Sequence, residues 1–133
     1  MTPLPAWMRR ALFATAAMNV VGAAAFFPSA RALRAIAGLP EDAQPLYLAM
    51  VSMFVLLFGL GYLWAALAGR ADRLFMTIAA AGKLTFFGML VYFWAGGALS
   101  VRGPLTGTGD LVFGVLFVIW LASAGPAAPR ARG

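Results

Sequence analysis

Long apolar runs broken by short polar stretches dominate the chain. Four stand out, at about 11–28, 46–68, 74–98 and 107–124. A helix crossing a bilayer needs about 17–25 residues, because each adds about 1.5 Å toward a hydrocarbon core about 30 Å thick. Each run meets that length, so the pattern predicts four membrane-spanning helices. Pro28 closes the first run, since proline cannot donate to a helix ladder. The links 69–73 (GRADR) and 100–106 (SVRGPLT) are short, and short links make neighbouring helices antiparallel. The expected fold is all-α: an integral membrane four-helix bundle running up-down-up-down. It forms a single transmembrane domain over residues 1–126, with a disordered cytoplasmic tail over 127–133.

The longest link is SARALRAIAGLPEDAQP, residues 29–45. Leu33, Ile36 and Ala37 recur there at helical spacing, with Arg31 and Arg34 elsewhere on the wheel. This predicts a short helix lying at the outer interface. Continuation of the first helix past Pro28 is the alternative. Gly38, Leu39 and Pro40 end the segment.

Composition supports the bilayer as solvent. The chain of 133 residues is 63% hydrophobic and 11% charged, whereas soluble domains carry about 25% charged residues. The two arginines and apolar stretch near the N-terminus resemble a signal peptide, but three further apolar runs favour a retained first span. Four spans would place both termini and the 69–73 link on one face, with Arg9, Arg10, Arg70, Arg73, Arg130 and Arg132. The opposite face would carry Arg31, Arg34 and Arg102. Cytoplasmic loops are enriched in Lys and Arg, so both termini are expected in the cytoplasm of a bacterial inner-membrane protein. Trp7, Trp64 and Trp120 would mark the inner aromatic belt, and Trp94 and Tyr47 the outer one. The net charge of +6 then reflects topology and contact with anionic lipid, not nucleic-acid binding.

The polar inventory is short. There is no Cys and no His, and the only acids are Glu41, Asp42, Asp72 and Asp110. Thiolate and imidazole metal sites are excluded, as is the usual proton shuttle. No phosphate loop, nucleophile–base pair or paired carboxylates are present. No cofactor is expected.

Lys83 is the one cation inside an apolar run. It lies nine residues past Leu74, roughly 14 Å into the core. A lysine at that depth costs about 2.5–3.5 kcal/mol on insertion scales. Three readings stay open. It binds an anionic group in the interior or acts as a neutral amine; it snorkels to the interface; or it meets a partner subunit. Asn19 falls at similar depth on the stripe Thr15, Asn19, Gly22, Ala23, Phe26, where it serves as interhelical glue or meets Lys83. Tyr62 shares a stripe with Ser52, Gly59 and Ala66. Packing the stripes together would bury Lys83, Asn19 and Tyr62 as a candidate ligand-binding cluster. Gly82 and Gly88 would permit close helix approach beside Lys83, and Phe86 and Phe87 would exclude water. Asp110 and Arg102 form an outer-end polar group. With the third and fourth spans level outside, Asp110 is roughly 18 Å from Lys83, which argues against a direct ion pair and makes Arg102 its expected partner. The bland role for Asp110 is a helix N-terminal charge.

The layout resembles the DoxX-like small bacterial four-helix membrane proteins. The likeness rests on the first span closed by Pro28, the outer Arg-containing segment leading to GLP at 38–40, and Gly-containing second and third spans joined by GRADR. It implies accessory work in quinone-linked or redox membrane complexes, and carries over no functional residue. Small multidrug transporters are similar in size but use a glutamate in the first span, where this chain has Asn19. Fluoride channels carry a Gly-rich Arg motif that is missing here.

Three functional expectations follow. The first is an accessory or interaction subunit, or a lipid-binding bundle, with membrane lipids and a partner membrane subunit or further copies of itself as partners. The second is transport or binding of a small molecule or anion around Lys83. The third, a lipid- or quinone-modifying enzyme using Lys83 and Tyr62, is disfavoured by the lack of His and of core acids.

Overall fold

The computed structural model describes residues 1–123, and the 127–133 tail, with Arg130 and Arg132, lies outside them. The described residues form six helices and one small strand pair. In chain order these are β1 (Thr2–Pro3), α1 (Ala6–Phe26), α2 (Arg31–Ala37), α3 (Pro45–Ala68), β2 (Arg70–Ala71), α4 (Arg73–Ala95), α5 (Arg102–Thr106) and α6 (Thr108–Ser123). The all-α expectation is therefore corrected in one detail, the antiparallel pairing of Thr2 with Ala71 and Pro3 with Arg70.

Helix ends follow local chemistry. α1 starts before residue 11, because Met8, Arg9 and Arg10 are good helix residues although they lie outside the apolar run. It ends at Phe26, two residues before Pro28. The chain then turns, and the α2 axis departs from that of α1 by 118°. α2 is thus a separate helix, not a continuation. Pro45 occupies the first turn of α3, where its missing N–H costs nothing, and the Gln44 side chain accepts from Leu46 N. Gly69 closes α3 with φ of 66°, a left-handed conformation that glycine adopts without a Cβ clash. The Asp72 carboxylate accepts from Phe75 N at 2.9 Å and caps α4.

Two helices, α3 and α4, are long and apolar enough to cross a membrane. α1 reaches that standard only when joined to α2, and α6 is apolar but has 16 residues. The first and fourth predicted spans therefore do not meet that standard by themselves.

α1 packs along α3, α4 along α6, and α1 against α6. The α1–α3 register is antiparallel: Ser52 Oγ donates to Ala23 O at 2.7 Å, Asn19 Nδ2 to Val55 O at 2.9 Å, and Arg9 Nε to Ala66 O at 2.7 Å. α3 and α4 meet through aromatic rings, with Phe75 stacked on Phe58 and Tyr62 tilted against Phe75, both at 5.7 Å between centroids. The apolar core lies toward the β1–β2 end and includes Met8, Leu12, Met76, Phe117 and Trp120. Trp120 is 1% exposed, so it belongs to the core and not to an aromatic belt. The Arg73 guanidinium carbon stands 6.0 Å from the centre of its ring.

The opposite end is closed by α2 and α5. Thr106 Oγ1 donates to Ala37 O at 2.7 Å. A Cβ at Gly38, where φ is 69°, would come within 2.4 Å of Arg102 Cβ. Only glycine allows this approach. Arg34 is turned inward here, contrary to its expected polar face. Leu33 and Ile36 face outward.

A buried charge network joins four helices

Lys83 is buried in α4 with its ammonium directed between α1 and α6. Its Nζ donates to Asp110 Oδ1 at 3.0 Å and to Asn19 Oδ1 at 3.2 Å. The Tyr62 ring centre is 5.3 Å from Nζ, within cation–π range. Each neighbour comes from a different helix: α1 supplies Asn19, α3 Tyr62 and α6 Asp110. Asn19 uses both ends of its amide, accepting from Lys83 and donating to Val55 O. It is therefore both interhelical glue and a Lys83 ligand, two roles the sequence pattern left as alternatives. Carbonyl and carboxylate oxygens replace water around the ammonium, which lowers the cost of burying it.

The Lys83–Asp110 ion pair overturns the expected separation, and Arg102 is not the partner of Asp110. The reason is helix stagger. A Cβ on Gly114 would lie 2.8 Å from Leu84 Cδ2 and 3.4 Å from Lys83 Cβ. A Cβ on Gly107 would lie 2.5 Å from Leu90 Cδ1 and 3.3 Å from Phe87 Cδ2. Gly107 thus faces Leu90, not the outer end of the third run near residue 98. That eight-residue offset sets α6 roughly 12 Å deeper than level packing would. Asp110 ends about one helical turn from Lys83, roughly 5.4 Å along the axis, and the lysine side chain spans the gap. The segment predicted as a plain link contains α5, which packs against α2 and α4 at the end that α6 does not reach. Asp110 remains in the first turn of α6, so the helix-dipole role persists beside the ion pair.

The glycines that permit close packing also differ from expectation. Nothing lies within 4 Å of a Cβ built on Gly82 or Gly88, and both residues face outward. The close approaches occur on the neighbouring helices instead. Gly59 would place a Cβ 2.9 Å from Asn19 Cβ, and Gly114 meets Leu84 and Lys83 as above. Phe86 and Phe87 are half-buried, and Phe86 stands edge-on to Phe26 with 6.4 Å between centroids. Thr15, one turn along α1 from Asn19, is fully buried, and its Oγ1 has no hydrogen-bond partner among the described residues.

A second buried cation escaped the sequence reading. Arg34 Nε and Nη2 donate to Glu41 O at 3.2 and 2.8 Å, Nη1 to Ala25 O and Phe27 O at 3.1 and 2.7 Å, and Nη2 to Pro28 O at 3.1 Å. These include carbonyls at the end of α1, where the helix dipole is negative. A signal was present in the sequence: an arginine shortly after a proline-terminated helix can fold back onto its open carbonyls. Arg31 instead pairs at the surface with Glu41 at 3.1 Å and Asp42 at 3.0 Å. Among the described residues no group of three or more metal-capable side chains occurs.

No family model, no curated protein and no solved structure matches the chain.

Proposed function

We propose that the chain is a multi-pass protein of the bacterial inner membrane whose four apolar helices cross the bilayer with both termini cytoplasmic. It works as an accessory or interaction subunit, or a lipid-binding bundle, rather than as an enzyme. The DoxX-like likeness belongs to the same proposal. The antiparallel packing of α1 on α3 supports a first span. The apolar character of α6 over its 16 residues supports a fourth. The β1–β2 pairing brings the N-terminus beside the link between α3 and α4, as an even number of crossings requires.

One observation carries the functional reading. The sole cation at mid-span is already answered by Asp110, Asn19 and the Tyr62 ring. An anionic substrate would have to displace a covalently tethered carboxylate. The network is therefore better suited to fixing the register of four helices than to binding and releasing a ligand. The second reading, a small-molecule or anion site around Lys83, draws on Thr15 Oγ1, which has the capacity to meet a further polar group.

Mass spectrometry of the protein extracted in native-lipid discs tests both. A partner chain or lipid retained in fixed ratio, in wild type and in Lys83→Met alike, is the expected outcome. A small ligand present in wild type and lost from a folded Lys83→Met protein would replace the first reading by the second. Accessible-thiol labelling of Glu41→Cys and Arg10→Cys tests topology. Reaction of both from one side of the membrane would sink the four-span arrangement.

A further inference from the structure

The arginines are answered unequally at the two ends of the molecule. At the α2–α5 end, Arg31 has Glu41 and Asp42, and Arg34 is occupied by backbone carbonyls. At the β1–β2 end stand Arg9, Arg10, Arg70 and Arg73. None of these four makes an ion pair among the described residues. The only acid there, Asp72, is turned onto Phe75 N as the cap of α4. Arg9 and Arg73 each direct one nitrogen at a helix C-terminal carbonyl, Ala66 O and Leu121 O. Arg70 is exposed and donates to Met1 O at 3.2 Å.

An apolar groove of about 300 Å³ lies between α3 and α4, walled by Leu60, Gly61, Trp64, Ala65 and Phe75. Met1 and Asp72 complete its lining, and Arg70 stands against it through its hydrogen bond to Met1 O. The groove exists because α3 and α4 meet mainly through the Phe58, Tyr62 and Phe75 rings. Trp64 is 74% exposed at the end of α3, where an indole suits the boundary between headgroups and hydrocarbon.

We propose that this groove seats an anionic phospholipid, its phosphate at Arg70 and one acyl chain along Leu60, Trp64 and Phe75. The inference rests on the membrane reading above. Two independent features select this occupant. Uncompensated guanidinium charge attracts a phosphate, and an apolar channel directly beside it needs hydrocarbon to cover it. A zwitterionic lipid offers the same phosphate with its charge offset by a tethered ammonium, and a free phosphate lacks the hydrocarbon.

The test is native mass spectrometry of the full chain in non-ionic detergent. It is titrated with phosphatidylglycerol and with phosphatidylcholine of the same acyl chains. Preferential retention of phosphatidylglycerol is expected. Arg70→Gln should weaken that binding about fivefold, the value of one cation near an anionic lipid surface, and weaken phosphatidylcholine less. Trp64→Ala should weaken both lipids, and Arg31→Gln at the other end neither. Equal retention of the two lipids would overturn the proposal, as would full phosphatidylglycerol binding by folded Arg70→Gln. Displacement of the lipid by equimolar glycerol phosphate would assign the contact to the headgroup alone and overturn the groove. A wild-type chain that stays soluble without detergent would instead refute the membrane reading, so the two failures are distinguishable.

Discussion

Arg34 and Lys83 are both buried cations in a chain with few charges, 2% and 5% exposed, yet they are satisfied in opposite ways. Arg34 meets no acid. It spreads five hydrogen bonds over carbonyls that lie six to nine residues away in sequence. Lys83 meets a carboxylate 27 residues away and an amide 64 residues away. The planar guanidinium suits the first task, because its fixed fork can reach diverging carbonyls on two sides. The compact ammonium suits the second, where a single charge sits among three helices. Arg34 therefore stabilises a local turn, the break between α1 and α2. Lys83 stabilises an arrangement of helices.

Substitutions sharpen this contrast. The largest effect is expected for Arg34→Met, which strands several buried carbonyls at once and should cost about 3–5 kcal/mol. Reversible unfolding in mixed detergent micelles would measure it. Arg34→Lys should recover little of the loss, since three donors on one nitrogen cannot replace the fork. Lys83→Met should cost less, about 2–3 kcal/mol, because Asp110 keeps 20% side-chain exposure and is not fully stranded. Equal losses at the two positions would refute the distinction drawn between them.

Packing beside Lys83 gives a smaller test. Gly59→Ala forces a methyl to 2.9 Å from Asn19 Cβ and should cost about 1–3 kcal/mol by overpacking. Gly82→Ala, on the open face of the neighbouring helix, should instead stabilise by about 0.5–1 kcal/mol through helix propensity. The same micelle unfolding assay ranks the pair, and a reversed order would refute the helix rotation described here. The smallest effect is expected for Lys83→Met combined with Asp110→Leu. Removing both charges should return stability to within about 1 kcal/mol of the parent. A double variant as unstable as Lys83→Met alone would mean that the two residues are not coupled.

Much of the framework was legible along the chain. The runs at 46–68 and 74–98 match α3 and α4 within a few residues, because apolar length and the Gly69 and Asp72 caps are local properties. α2 was legible from the spacing of Leu33 and Ile36. Asn19 and Tyr62 were legible as neighbours of Lys83, Asn19 from its depth and Tyr62 from the stripe it shares with Ser52, Gly59 and Ala66. Arg34 was not, because a helical wheel assigns a side chain to a face without saying whether carbonyls wait there. Trp120 was misplaced for a related reason: proximity to a helix end does not determine whether an indole faces lipid or Arg73. Asp110 was misplaced because depth was counted from an assumed common outer level.

The amino-acid sequence by itself determined the apolar runs, the helices and the need for Lys83 to find company. Those follow from hydropathy, helix length and the cost of a buried charge, all computable residue by residue. Only the tertiary structure decided which company it finds. The stagger of α6 against α4 depends on how α5 packs against α2 and α4 and on where Gly107 and Gly114 let two helices approach. Both are relations between distant segments, and an offset of eight residues is enough to turn a separation of roughly 18 Å into a contact.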